Sequence, residues 1–123
     1  MSSRVIALLE GHGHSKKIEL TEEMTCVDFG SDRSCKDGYI CNNNNTIALF
    51  HCRIYLQRSE TQEGWDTYIQ DRSMNSQKFV TYVNDHRLEM RKSQLLCDND
   101  KITIGIETPV SFVFHDAFNR NSQ

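Results

Sequence analysis

Short runs of aliphatic, β-branched and aromatic residues alternate with clusters of Gly, Asn, Asp and Ser along the chain, and helical periodicity is almost absent. Within several runs, apolar and polar positions alternate, the pattern of a strand with one buried face. We predict strands at Arg4–Leu9, Lys16–Leu20, Thr25–Phe29, Tyr39–Cys41, Phe50–Gln57, Trp65–Asp71, Val80–Val83, Arg87–Leu88, Lys101–Ile104 and Val110–His115. Such strands need a second sheet to cover their apolar face, so the sequence predicts an all-β, two-sheet sandwich.

The first and last predicted strands are apolar on both faces. If Ala7 and Leu9 face the core, Ile6 and Leu8 face the other way, and Val113 likewise opposes Phe112 and Phe114. A two-layer sandwich covers only one face of each strand, so the second apolar face is left to a partner. We therefore predict an outward patch formed by Ile6, Leu8 and Val113.

Composition and charge indicate a globular domain and disfavour membrane and nucleic-acid binding. The chain has 123 residues, 37% hydrophobic and 25% charged, with a net charge of −3, values typical of one globular domain. Val5–Leu9 is too short to span a bilayer and lacks the flanks of a secretory signal, so we expect an intracellular protein without membrane contact. The acidic balance (pI about 5.9) and the scattered basic residues disfavour nucleic acid as a partner.

Candidate catalytic and metal-binding residues are sparse. His12 and His14 flank a glycine, but no carboxylate or cysteine pattern accompanies them, so a hairpin turn is favoured over a metal site. His51 and Cys52 are adjacent, and adjacent strand residues point to opposite faces. The five cysteines form no C-x-x-C pair. We therefore predict neither catalysis, nor a metal, nor a cofactor.

Four segments occur in an order typical of one family. They are Phe29–Cys35 (F-G-S-D-R-S-C), Ala48–Ile54 (A-L-F-H-C-R-I), Thr81–Leu88 (T-Y-V-N-D-H-R-L) and Leu95–Gly105 (L-L-C-D-N-D-K-I-T-I-G). Together they resemble the forkhead-associated family of phosphothreonine-recognising domains. The resemblance implies a sandwich of about eleven strands over residues 1–118, with functional loops at one end. Residues 119–123 would then be a polar tail that begins a linker in a longer protein.

The same resemblance identifies positions where the family's phosphate contacts are replaced. Family members hold phosphothreonine with the Arg of G-R, the Ser of S-x-x-H and an N-G-T loop. The matching positions here are Ser31, Ala48 and Phe79-Val80-Thr81, and of the phosphate contacts only Thr81 is retained. Since each lost charged hydrogen bond costs about 1.5–3 kcal/mol, we predict that phosphothreonine binding is weakened or lost.

Two other residues of the family's pattern are retained, and two cations lie near the replaced positions. His51 matches the structural histidine, and Asn84 matches the asparagine of the family's T-F-V-N turn. Arg33 and Lys78 lie near the replaced positions and are cations that could meet a phosphate. The alternative interpretation is accordingly a functional phosphothreonine reader that uses Arg33 or Lys78.

A narrower resemblance links the chain to the N-terminal domain of DNA-damage checkpoint mediators. It rests on the cysteine-containing segment after Gly30, the long loop after Cys41 and the short N-terminal lead-in. This resemblance implies a nuclear protein whose domain self-associates. We therefore predict a homodimer, with Ile6, Leu8 and Val113 as candidate interface residues, and phosphorylated peptides as possible further partners.

Overall fold

The computed structural model describes residues 4–41, 46–61, 63–75 and 77–117, and this part of the chain forms two packed antiparallel sheets. Its ten strands are β1 (Val5–His12), β2 (Lys17–Thr21), β3 (Cys26–Phe29), β4 (Cys52–Arg58), β5 (Trp65–Asp71), β6 (Thr81–Val83), β7 (His86–Arg87), β8 (Ser93–Leu95), β9 (Lys101–Ile104) and β10 (Val110–Asp116). One sheet has the order β2-β1-β10-β9-β6-β7, and the other has the order β3-β4-β5-β8. The predicted two-sheet, all-β sandwich is confirmed.

Two segments differ from the predicted elements. The expected strand at Tyr39–Cys41 is reduced to an isolated bridge between Gly30 and Tyr39. A 3-10 segment at Arg33–Gly38 precedes it, and the Asp32 carboxylate caps this segment by accepting from the Ser34 backbone N–H at 2.9 Å. Conversely, β8 was not predicted. All three of its residues are exposed, so it carries no apolar alternation, and backbone pairing with β5 alone defines it.

The core lies between the two sheets and is rich in phenylalanine. Phe29 of the four-stranded sheet and Phe112 of the six-stranded sheet meet with ring centroids 5.2 Å apart, and both are buried. Phe114 is also buried and pairs across strands with Leu9. Each fully buried side chain of this kind contributes about 1.5–3 kcal/mol, so these contacts hold the sheets together.

The prediction that Ile6 faces outward is wrong. A β-bulge shifts the register of β1 and β2 between Val5 and Ala7, so Ile6 (2% exposed) and Ala7 (0%) both point into the core. An extra residue in a strand breaks the simple alternation of faces, which explains the error. The other two candidates, Leu8 and Val113, are half-buried and lie on the outer face of the six-stranded sheet.

Strand register gathers several loops at one end of the sandwich. In the four-stranded sheet, Phe29 at the end of β3 pairs with Cys52 at the start of β4, which pairs with Asp71 at the end of β5. In the six-stranded sheet, Thr81 at the start of β6 pairs with Ile104 at the end of β9. We call the segments 30–40, 46–51, 72–75 and 77–80 that meet here the loop end.

Candidate functional site

His51 is the residue that joins the loops of this end. Its side chain is fully buried. The Ala48 backbone N–H donates to His51 Nδ1 at 3.1 Å, and Nε2 lies 3.0 Å from the Val80 carbonyl oxygen. Because Nδ1 accepts, the proton lies on Nε2, which donates to Val80. The His51 backbone adds two bonds, one to the Phe29 carbonyl (2.7 Å) and one from the Arg72 N–H (3.0 Å). These four bonds give His51 a structural role in the loop end.

Burial also controls the protonation of His51. Desolvation lowers the pKa of the imidazole, and the hydrogen bond to Val80 and the charge of Asp71 only partly oppose that effect. A neutral ring keeps one nitrogen as an acceptor, and that acceptor is what the Ala48 N–H requires. Protonation would therefore remove the partner of that buried amide.

The segment after β3 is held against the loop that precedes His51. The N–H groups of Ser31 and Asp32 donate to the carbonyls of Ala48 (3.0 Å) and Leu49 (3.2 Å). Gly30 makes this contact possible, since a Cβ at this position would collide with the Leu49 carbonyl oxygen. Two backbone donors at this end are consequently used within the fold.

The three positions that match the family's phosphate contacts offer little to a ligand. The Ser31 hydroxyl donates to the Ile47 carbonyl at 3.3 Å. Ala48 has no polar side-chain atom and is 9% exposed. Thr81 is 1% exposed, and its hydroxyl has no hydrogen-bond partner within the described residues, although the Cys52 thiol is its neighbour. Each position is thus engaged, apolar or buried.

Cys52, next to Thr81, carries no nucleophilic chemistry. The side chain is fully buried, and desolvation strongly raises the pKa of its thiol. The thiolate, which is the reactive form, is therefore suppressed at neutral pH. Cys52 acts as a small apolar core residue.

The two candidate cations lie at the loop end, and each rests against an aromatic ring. The Arg33 guanidinium carbon lies 5.2 Å from the centroid of Tyr39, and the Lys78 Nζ lies 5.2 Å from the centroid of Phe79. Both side chains are exposed, and neither forms an ion pair with a described residue. They are available to an anionic ligand.

Asn84 does not join these residues. It lies after β6, at the opposite end of that strand from Thr81, about 10 Å away at about 3.3 Å per residue. Its amide donates to Asp100 (2.6 Å) and accepts from the Lys101 N–H (2.9 Å). With φ of 50°, Asn84 forms the β6–β7 hairpin turn together with Asp85 (φ 69°). Its placement among the phosphopeptide-loop positions was wrong, since this side chain fixes a turn.

Sequence reasoning missed a set of exposed apolar residues at the loop end. Leu49 is 62% exposed, Phe50 44% and Met74 82%. Phe79 is half-buried, and its ring packs edge-on against His51 with centroids 6.1 Å apart. The signal was present as the apolar pair Leu49–Phe50 before His51, but Phe50 was assigned to the next strand.

Two further types of site have no support in the described part of the chain. Among residues 4–41, 46–61, 63–75 and 77–117, no group of three or more His, Cys, Asp or Glu side chains is placed to hold a metal ion. No helix within the same residues is long and apolar enough to cross a membrane.

Comparison with known proteins gives one family and a set of similar structures. A family model described as "FHA domain" matches residues 27–105, more than half of the chain. The fold is similar to the FHA domain of MEK1 (TM-score 0.73, 22% identity, 91% of this chain and 90% of that one). It is also similar to the N-terminal FHA domain of S. cerevisiae RAD53P in complex with a phosphothreonine peptide (TM-score 0.72, 19% identity, 93% and 95%). A second MEK1 structure contains a phosphothreonine peptide of HOP1 (TM-score 0.70, 23% identity, 93% and 99%). No curated protein matches the chain.

Proposed function

Because this chain belongs to the FHA domain family, whose members are protein-interaction modules, we propose that it is a non-enzymatic interaction domain with weakened phosphothreonine recognition. The observation that carries the proposal is the state of the three phosphate-contact positions. The Ser31 hydroxyl is bonded to a backbone carbonyl, Ala48 lacks a hydroxyl, and Thr81 is buried. None of them supplies the planar, doubly donating group with which an arginine grips a phosphate.

Phosphothreonine peptides are the ligands to test, since they are bound in the RAD53P and MEK1 complexes. Calorimetry with a degenerate phosphothreonine library and its unphosphorylated counterpart tests it. We expect no phosphate-dependent binding below high micromolar concentration. Tight binding that requires the phosphate and disappears in Arg33→Ala or Lys78→Ala would instead establish the alternative, a reader that uses these exposed cations.

Self-association is a second candidate function, favoured by the positions of Leu8 and Val113. On the paired strands β1 and β10, Leu8 lies opposite His115 and Val113 lies opposite Glu10, so all four side chains share the outer face. Two aliphatic side chains at the centre of a sheet face form an apolar surface that a C2 dimer, the commonest closed assembly, would bury. Sedimentation across a concentration series tests this second function without any assumption about a ligand.

The resemblance to checkpoint mediators extends the proposal to cellular context. We propose that the protein acts in the nucleus, in DNA-damage signalling. A fluorescent fusion of the full-length protein, followed before and after irradiation, tests the location. Exclusion of the fusion from the nucleus under both conditions would contradict it.

A further inference from the structure

The loop end carries four apolar side chains that the phosphate-pocket comparison does not explain. We call them the loop-end platform; they are Leu49, Phe50, Met74 and Phe79. Leu49 and Phe50 immediately precede His51, and Met74 and Phe79 belong to the loop between β5 and β6, which closes through a Phe79 N–H to Asn75 carbonyl bond of 2.9 Å. Both loops are tied to His51. The loop with Leu49 and Phe50 bonds its ring through the Ala48 N–H, and the loop with Met74 and Phe79 bonds His51 through Arg72 and Val80.

Leaving large apolar side chains in water forgoes the free energy that their burial would contribute to folding. Leu49 and Met74 are 62% and 82% exposed, whereas the described leucines and isoleucines of the core are almost fully covered. Exposed aliphatic and aromatic side chains clustered on one surface mark an interaction site. The methionine adds adaptability, because its flexible thioether fits differently shaped partners.

Three cations lie beside the platform residues or on the loops bonded to them. The Arg91 guanidinium Nη1 lies 4.0 Å from the Met74 sulfur, and the Lys78 Nζ lies 5.2 Å from the Phe79 ring. Arg33 follows Asp32, whose N–H is bonded to the Leu49 carbonyl. None of these three cations is in an ion pair with any residue the structure describes.

Two acidic groups near the platform are already engaged, whereas Asp37 of the segment 30–40 is exposed. The Asp71 carboxylate is buried and accepts from the Ser73 hydroxyl (3.0 Å) and the Arg91 N–H (3.1 Å). The Asp32 carboxylate accepts two bonds from Ser34, and these lower its pKa. Although the chain as a whole has a net charge of −3, the segments of the loop end contain four Lys and Arg residues and two Asp residues.

We propose that the loop-end platform binds an acidic peptide segment of another protein that carries a large apolar anchor, and that this binding does not require phosphate. The apolar side chains cover the anchor, while Arg33, Lys78 and Arg91 meet the flanking carboxylates. Charge complementarity selects this occupant, since unpaired cations around an apolar centre favour an acidic, hydrophobic ligand over a basic or purely polar one. The inference rests on the proposed function, because an intact phosphate pocket would reserve the same end of the domain for phosphothreonine.

Fluorescence anisotropy of the whole chain with three labelled peptides tests the proposal. The probes are EDDLFDDEE, the anchor-free EDDSSDDEE, and an acidic peptide of the same length with phosphothreonine in place of the anchor. A small surface of this type gives a Kd on the order of 10–100 μM. We expect binding of the first peptide only, weakening as ionic strength rises because screening acts on exposed charges.

Matched variants locate the contact. Leu49→Ser with Phe50→Ser should weaken binding about tenfold or more, the effect of losing part of two buried anchors. Leu95→Ser is the apolar control, since Leu95 is 39% exposed on β8, away from the loop end. Arg33→Glu with Lys78→Glu should also weaken binding. The matched pair Arg58→Glu with Lys101→Glu, at the opposite ends of β4 and β9, should not. Thermal melts establish that each variant is folded.

The outcomes distinguish peptide binding by the platform from the proposed weakening of phosphothreonine recognition. If neither the anchored nor the phosphorylated peptide binds, the platform proposal is overturned and weakened phosphothreonine recognition stands. Binding of the phosphorylated peptide alone overturns both. Equal binding by the platform variants and their controls places the contact elsewhere. If the apolar variants change only self-association in sedimentation, the platform is a contact between copies and the proposal fails.

Discussion

The His51 Nε2 atom donates to the Val80 carbonyl oxygen across 3.0 Å and thereby links the loop before β4 in one sheet to the residue before β6 in the other. Since the opposite ring nitrogen accepts from Ala48, a single imidazole holds both sides of the loop end in place. The positions of the loops that contain Ala48 and Val80 therefore depend on this one side chain.

His51 should make stability depend on pH. Its pKa is lowered in the folded state, so the unfolded chain binds more protons near the ordinary histidine pKa of about 6.5. Its contribution is therefore fully present above that value and declines as pH falls through it. We expect the melting temperature to drop between pH 7.5 and 5.5. Thermal melts of His51→Asn should show a lower melting temperature at pH 7.5 and a smaller pH-dependent drop. A drop of equal size in the variant would assign the effect to other groups.

Thr81→Val should raise stability. The substitution removes a buried hydroxyl that has no partner within the described residues and keeps nearly the same shape. An unsatisfied buried polar group costs about 1–3 kcal/mol, so urea unfolding should show a gain of about 1 kcal/mol. Thr81→Ser is the control, since it keeps the hydroxyl, loses the methyl group and should be less stable than wild type. Destabilisation by the valine would mean that the hydroxyl is satisfied in solution.

Restoring the family's donors should create phosphate-dependent binding. Ser31→Arg with Ala48→Ser returns a guanidinium and a hydroxyl to the positions that match the family pattern. Two charge-assisted bonds at about 1.5–3 kcal/mol each correspond to a gain of two decades or more in affinity. Calorimetry with a phosphothreonine library and its unphosphorylated form measures that gain. Ser31→Lys with Ala48→Ser is the matched control, since a lysine cannot donate in the same fork. No gain in the arginine variant would show that these positions do not face the ligand.

The outer face of the six-stranded sheet should carry the self-association contact. Leu8→Glu or Val113→Glu should convert a dimer into a folded monomer, because an unpaired charge buried in an interface costs several kcal/mol. Sedimentation together with a thermal melt measures assembly and folding separately. Gln57→Glu is the control, because it adds one negative charge at an exposed position on β4, in the other sheet. A wild-type chain that is monomeric at high micromolar concentration would exclude the dimer. A dimer indifferent to both substitutions would place the interface on another surface.

The sequence by itself determined the architecture and the location of the loop end. Alternation in segments such as Cys52–Arg58 and Trp65–Asp71 predicted strands, because a half-buried strand needs an apolar residue at every second position. The ordered segments around Gly30, His51 and Gly105 indicated the family. Glycine and histidine at these positions serve local geometric needs that sequence records directly, a close backbone approach at Gly30 and a buried donor–acceptor ring at His51.

Only the tertiary structure decided which side chains a ligand can reach. The bulge that turns Ile6 into the core depends on the register between β1 and β2, and the burial of Thr81 depends on the packing of the two sheets. Asn84 is likewise fixed by Asp100 and Lys101, which are distant in sequence. Leu49 and Phe50 carry the same apolar character as core residues, and their exposure follows from the loop that His51 anchors. Burial is a relation between segments far apart in the chain, so local pattern cannot specify it.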